Sequence, residues 1–314
     1  MIRRATIAVV VLLGWAAGST LGSGAGVPAA QAAPAAFALG RAHGDFTPGL
    51  DGRRTITILA VGSDARGGPA VTGRSDSIHV IFLQPRKRRA VVVGIPRDSW
   101  VSIPGHGTDK INAAMSSGGP SRLVATIERN FGARIDYWAV TSFGGFESIV
   151  NGIGGLAVRV PFRMQDSFSG SDFRTGRHRL NGRQALAFAR DRHSVPGGDF
   201  GRQENGGRVL ESALEQFRKE YRRDPARLLA WIAAGVRHID TDLAVTELVD
   251  LAFTATKVAP ARVRNLVLPG GTATIGGKSV VTLSMGAARA IFADAVKDGA
   301  LRPSNVPNSP TGAS

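Results

Sequence analysis

Two stretches of this chain carry side chains suited to gripping phosphate oxygens. Residues 62–76, GSDARGGPAVTGRSD, put Asp64 and Asp76 beside Arg66 and Arg74. Residues 187–202, AFARDRHSVPGGDFGR, set Arg190, Arg192 and Arg202 around a turn, with Asp191 and Asp199 among them. A guanidinium fork matches two phosphate oxygens at once, and paired carboxylates suit Mg²⁺ or Mn²⁺. Together these residues have the composition of a site for a diphosphate ester and its metal. Taken singly, an aspartate in a glycine-rich loop is as readily an Asx turn or a helix cap. A single arginine is by default a surface charge or a partner for Asp191 or Asp199. Two aspartates on one loop beside two arginines favour the ligand reading.

Other chemistries find less support. With no cysteine in the chain, disulfides, thiolate zinc sites and thiol nucleophiles are excluded. The six histidines, His106, His178 and His193 among them, show no metal or triad spacing. His79 falls inside a strand-like run and reads as a core or face residue. The glycine pairs lack the GxxxxGK[ST] pattern of a phosphate-cradling loop and read as turns.

The N-terminus sets an expectation of export. Arg3 and Arg4 precede the apolar run 5–17 (ATIAVVVLLGWAA), and no further charge occurs until Arg41. A basic start, a short apolar core and a small-residue string fit an export signal, with cleavage after Ala32 or retention as a signal anchor both open. By the positive-inside rule, the residues beyond it belong outside the cytoplasm. The net charge of +15 then points to anionic head groups, wall polymers and phosphorylated substrates rather than nucleic acid. No nucleic-acid-binding module is legible in the sequence.

The elements that must position these residues follow from apolar patterning. Residues 55–61 (TITILAV), 77–83 (SIHVIFL) and 90–95 (AVVVGI) read as buried central strands, with the basic turn RKRR at 86–89 exposed. The Asp64–Asp76 loop leaves the end of the first of these, where open α/β sheets hold ligands. Helices are expected over 112–115, 121–131, 143–151, 182–188, 205–221, 225–237, 243–259 and 285–298, and strands over 136–140 and 156–160. Order is expected to begin near Thr55. For Arg190 and Arg192 to act together, the helix before them must end near Ala189, because residues two apart on a helix point about 200° apart.

The ordered series GSDAR…GRSDS, IPRDS, TDKINAA, IDYWAVTSFGGFESIVNGIGGL and LNGRQALAFARDR…GDFGRQ resembles the LytR-CpsA-Psr family over about residues 55–220. The resemblance implies an α/β fold, a mixed central sheet flanked by helices with an apolar lipid pocket. It implies a leader and tether over 1–40, a catalytic domain over 41–302 and a disordered tail over 303–314. The implied activity is a Mg²⁺-dependent phosphotransferase outside the cytoplasm, moving a glycopolymer from a polyprenyl-pyrophosphate carrier to peptidoglycan at the membrane surface. A catalytically weak surface protein binding polyprenyl-phosphate or wall polymer is the alternative.

By the same resemblance, Asp64 and Asp76 match metal ligands, and Arg74, Asp76, Arg190, Arg192 and Arg202 match the catalytic set. Arg66, Arg97, Lys110 and Gln203 match substrate contacts, although Arg97 could simply pair with Asp98. One departure stands out. Where the family carries arginine and a phosphate-facing glutamine, this chain has Glu204-Asn205-Gly206-Gly207, with Gly206 at the glutamine position. Glycine weakens a helix by about 1 kcal/mol relative to alanine, so this segment is expected to be a weakness. A lipid cavity is expected among 113–115, 143–149 and 210–217.

Overall fold

The computed structural model describes residues 37–42, 54–65, 69–227, 230–231, 239–241 and 245–306. The expected export signal, Arg66 and the end of the C-terminal tail lie outside them, as does most of the helix expected over 225–237.

The strand-like runs form the centre of a seven-stranded mixed sheet. Strand β1 (Phe37–Arg41) is followed by β2 (Ile56–Ser63), β3 (Ser75–Gln84) and β4 (Arg89–Gly94). The last three form an antiparallel meander, and the basic turn at 85–88 joins β3 to β4. Hairpin β5–β6 (Trp100–Ile103, Gly107–Lys110) and helix α1 (Ala113–Phe131) come next. Strand β7 (Tyr137–Ser142) then returns parallel to β2, with β1 antiparallel on its other side. Thus the sheet begins well before Thr55. Strand β1 pairs with β7 through Phe37↔Thr141 to Arg41↔Tyr137, a long-range pairing that local periodicity does not show.

Helix α2 (Phe143–Gly152) leads to strand β8 (Leu156–Val160), which pairs with β11 (Gly176–Leu180). Between them lies the small hairpin β9–β10 (Met164–Asp166, Ser171–Phe173). Helix α3 (Gly182–Arg190) starts at a capping box, in which the Asn181 side chain and Gln184 satisfy each other's backbone N–H groups. Helix α4 (Asp199–Arg223) follows. Strand β12 (Ile239–Thr241) extends the sheet beside β1, and α5 (Val245–Thr256) precedes β13 (Val263–Val267), which closes the far edge parallel to β4. Hairpin β14–β15 (Gly270–Ile275, Lys278–Leu283) and helix α6 (Met285–Asp298) complete the described fold.

Strand alternation sends side chains to both faces. Leu59, Val61, Ile78, Val80 and Phe82 pack with Leu123, Ile127 and Phe131 of α1 and Phe292 of α6. Ile56, Leu83 and Ala90 pack on the other face with Leu214 of α4 and Leu251 of α5. A further core joins α2, α3, α4 and strands β8–β10, through Val150, Leu156, Val160, Phe173, Phe188 and Val209.

Two local expectations shift. Helix α1 breaks at Gly118 and Gly119, the latter at φ 68°, and resumes at Pro120. The two helices expected over 112–115 and 121–131 are therefore the two halves of α1, and Ser121 lies inside the second. Helix α4 begins six residues before the expected Asn205, because Asp199 and the residues after it wind directly out of the Gly198 turn, at φ 55°.

Candidate functional site

A cavity of about 500 Å³ lies between the sheet and the layer formed by α2, α3 and α4. Its apolar wall comes from Ala60 and Val61 on β2, Ala139 on β7, Phe143 and Phe146 on α2, Leu186 on α3, and Val209 and Leu210 on α4. Its polar end holds Asp76, Arg97, Arg190, Arg192, Arg202 and Gln203. The expectation of a cavity near α2 and α4 holds. Residues 113–115 do not line it, because Ala114 and Met115 are buried in the core on the opposite face of the sheet.

Each site residue owes its place to a local stop in regular structure. Asp76 sits in β3 at the register shift itself, skipped between the Gly62↔Ser77 and Ser63↔Ser75 pairs. Arg97 follows Ile95-Pro96, where the proline forces an extended exit from β4. Helix α3 ends at Arg190, and Asp191 takes an extended backbone (φ −61°, ψ 125°). That ending, one residue later than expected, lets Arg190 and Arg192 both reach the cavity. The Arg190 guanidinium lies 4.6 Å over the Phe143 ring, which fixes its direction without consuming its hydrogen-bond donors. Asp191 itself is fully buried and accepts from the Ser171 and Ser194 hydroxyls, so it braces the turn rather than neutralising the arginines.

The charges form a linked chain. Lys110 Nζ lies 3.1 Å from Asp98, and Asp98 lies 3.9 Å from Arg97. Arg97 Nη1 donates to Asp76 Oδ1 at 2.6 Å, so its primary partner is Asp76 rather than Asp98. Burial alone would lower the Arg97 pKa, yet the adjacent Asp76 and Asp98 carboxylates raise it above its ordinary value. Deeper in, Arg202 is 8% exposed and lies 2.5 Å from Asp199. Burial pulls the Arg202 pKa below its ordinary value and pushes the Asp199 carboxyl up, and their mutual attraction only partly offsets it. Although close, the pair is poorly aligned. Arg202 Nε and Nη2 and both Asp199 oxygens have no hydrogen-bond partner in the protein, and neither does Arg97 Nε. Buried donors left this way beside a cavity are suited to an incoming anion.

The remaining site residues fall outside this cluster. Asp64 and Arg74 close the neck of the loop, where Asp64 Oδ1 accepts from the Arg74 backbone N–H at 2.7 Å. The Arg74 side chain is exposed and, like Asp64 and Lys110, does not line the cavity. Among the described residues no cluster of three or more His, Cys, Asp or Glu could hold a metal. Even so, Asp64 Oδ2 and Asp76 Oδ2 are not engaged by the bonds their partner oxygens make. Two carboxylate oxygens completed by phosphate oxygens are the donor set that Mg²⁺ uses.

Sequence reasoning missed two neighbours, His193 and Phe168, whereas a third, His79, is the core residue that its strand-like run predicts. His79 is buried with Nε2 at 2.8 Å from the Gln203 carbonyl and Nδ1 at 3.2 Å from the Ser77 hydroxyl. Since a carbonyl only accepts, Nε2 carries the proton. Burial lowers the His79 pKa to about 4, so it is neutral. His193 and Phe168 stand at the cavity rim, with His193 Nδ1 3.1 Å from Asp166 Oδ2. No spacing signal joins His193 to Asp166, because the turn after α3 meets hairpin β9–β10 only in the folded chain.

The Gly206 departure also receives a physical account. A Cβ at Gly206 would lie 2.6 Å from the His79 ring, and one at Gly207 would lie 1.9 Å from Asn265 Oδ1. The two glycines let α4 approach β3 and β13. His79 occupies the space a longer residue at 206 would need, so the pair is a packing requirement rather than a weakness.

Fold and site together define a mixed α/β protein whose apolar cavity ends in a cluster of guanidinium groups. The LytR_cpsA_psr family profile matches residues 35–296, and the chain belongs to that family. The chain is 37% identical over 175 residues to the polyisoprenyl-teichoic acid–peptidoglycan teichoic acid transferase TagU of Bacillus mycoides (strain KBAB4), covering 55% of this chain and 56% of that protein. It is 30% identical over 203 residues to TagV of Bacillus subtilis (strain 168), covering 62% and 51%. The chain thus spans about half the length of the curated relatives it matches. Among solved structures, B. subtilis TagV superposes with a TM-score of 0.65 at 26% identity, covering 80% of this chain and 99% of that one. TagT with bound octaprenyl pyrophosphate lipid superposes with a TM-score of 0.60 at 22% identity, covering 81% and 93%. That last likeness speaks to the fold.

Proposed function

We propose that this chain acts outside the cytoplasm as a phosphotransferase, moving a glycopolymer from a polyprenyl-pyrophosphate carrier to peptidoglycan. The observation that carries this reading is the junction of an apolar cavity with the buried, partly unpartnered Arg202 and the neighbouring Arg97, Arg190 and Arg192. An isoprenoid chain fits the apolar part, and a pyrophosphate fits the guanidinium end. The names of the relatives, teichoic acid transferases acting on polyisoprenyl-linked polymer, support the same substrate class.

In this reaction an acceptor hydroxyl bonds to the phosphorus that carries the glycopolymer. The bridging P–O bond breaks, its electron pair stays with the lipid phosphate, and the hydroxyl proton ends on that leaving monophosphate. Negative charge builds on the bridging oxygen. Arg190, Arg192 and Arg202 are placed to hold that charge, and Arg97 to hold Asp76 in place while its own Nε remains available. Asp64 and Asp76 would hold Mg²⁺ or Mn²⁺, which supplies further charge neutralisation when bound.

The test uses purified full-length chain, a polyprenyl-pyrophosphate-linked saccharide and a peptidoglycan fragment, with release of polyprenyl monophosphate as readout. Asp76→Asn and Arg190→Ala should each lower the rate by roughly 10²–10³, the usual effect of losing one charge-stabilising group, and a chelator should do the same. Equal rates in wild type and both variants would leave the non-catalytic binding reading standing.

A further inference from the structure

The rim of the cavity carries an exposed aromatic ring. Phe168 is 82% exposed, the most exposed large hydrophobic among the described residues, and it lines the mouth of the cavity. Isolated exposed hydrophobics are ordinary, but this one is held in place. Its backbone N–H donates to Asp166 Oδ1 at 2.9 Å, and its ring lies 4.8 Å from the His193 ring. His193 is in turn tied to the other oxygen of the buried Asp166. One aspartate therefore braces both the tip of hairpin β9–β10 and the imidazole beneath it.

The chain around this tip is cationic. Residues 156–193 contain eight arginines and three aspartates, with no lysine or glutamate. The three aspartates are already engaged: Asp166 at the tip, Asp191 with two serines, and Asp172 with Arg163 at 2.5 Å. On hairpin β8–β11, from which the tip extends, Arg159 stands directly opposite Arg177 with both side chains exposed, and Glu215 of α4 lies 3.6 Å from Arg177 alone. An aromatic tip with cationic flanks is the composition of a surface that settles into an anionic lipid interface.

We infer that the β9–β10 tip, led by Phe168, docks the cavity mouth into the head-group layer of an anionic bilayer. The inference rests on the proposed lipid-linked substrate. Each methylene drawn through water lowers the equilibrium by roughly fourfold, so a long isoprenoid must pass from the bilayer to the cavity without crossing solvent. A mouth pressed into the membrane meets that need.

Because the chain has no cysteine, one label can be placed cleanly. In the full-length protein, an environment-sensitive fluorophore goes on Ser167→Cys, which keeps Phe168, and separately on Ser279→Cys, an exposed position outside the cavity. Vesicles of phosphatidylcholine with one-third phosphatidylglycerol should shift the Ser167 label to the blue and expose it to quenchers on the lipid chains. The Ser279 label should stay aqueous, which separates docking from mere tethering by the N-terminal segment. Adding Phe168→Ser to Ser167→Cys should reduce the quenching about tenfold, the weight of one phenylalanine leaving water. High salt or pure phosphatidylcholine should weaken it as well. A Ser167 label that stays aqueous on anionic vesicles, quenching unchanged by Phe168→Ser, or equal immersion in pure phosphatidylcholine would overturn the inference. Turnover of a short, water-soluble pyrophosphate donor is scored separately. If that turnover persists while the label stays aqueous, docking fails and the proposed function survives.

Discussion

At the residue scale, the site is defined by which of its arginine donors the nearby carboxylates leave unsatisfied. Asp76 takes Arg97 and Asp98 takes Lys110, while Arg190 rests on an aromatic ring and Arg202 lies beside a carboxylate that does not align with its N–H groups. A point-charge ammonium cannot reproduce a planar fork. Arg202→Lys should therefore retain the fold yet lower turnover of a pyrophosphate donor by at least tenfold, read as kcat/KM beside an unchanged far-ultraviolet spectrum. Full activity in that variant would show that Arg202 serves only its ion pair with Asp199. The aspartates and arginines were legible because two motifs concentrate them. Their partners were not: Arg97 joins Asp76 across 21 positions of sequence through strand pairing.

At the element scale, the informative feature is the approach of α4 to the sheet. Gly206 lies against His79 and Gly207 against Asn265, so two helix-weakening residues are exchanged for close packing. Gly206→Gln should lower stability by about 1–3 kcal/mol, the usual range for overpacking, as measured by the urea midpoint. The double variant His79→Ala/Gly206→Gln should recover part of that loss, because the removed ring opens the required space. A purely additive double mutant would show that the two positions are not coupled. From sequence the glycine pair reads as a defect, since helix propensity is local and the neighbour that needs the space lies 127 positions away.

At the scale of the whole molecule, one buried histidine sets an acid limit. His79 ionises near 6.5 in an unfolded chain and near 4 in the fold, where burial, with Arg202 nearby, disfavours its charge. The unfolded state thus takes up the proton first. Stability is full above about pH 6.5 and falls as pH drops towards 4, by roughly 3 kcal/mol from this group alone. Denaturant midpoints across that window should fall less steeply in His79→Gln than in wild type. Parallel slopes would show that other groups carry the acid sensitivity.

The apolar runs and the two charged motifs determined the central strands and the residue types gathered at the site, because alternation, turn residues and arginine–carboxylate composition are local properties, and the ordered motif series carried the resemblance that implied the fold class. Tertiary structure alone decided that β1 belongs to the sheet, that the apolar cavity lies on the α4 side rather than beside α1, and that Asp64 closes a loop while Asp76 faces the cavity. It also decided that His79, His193 and Phe168 belong at the site. Each of those outcomes depends on strand pairing or helix packing between distant segments, and no window of neighbouring residues contains that information.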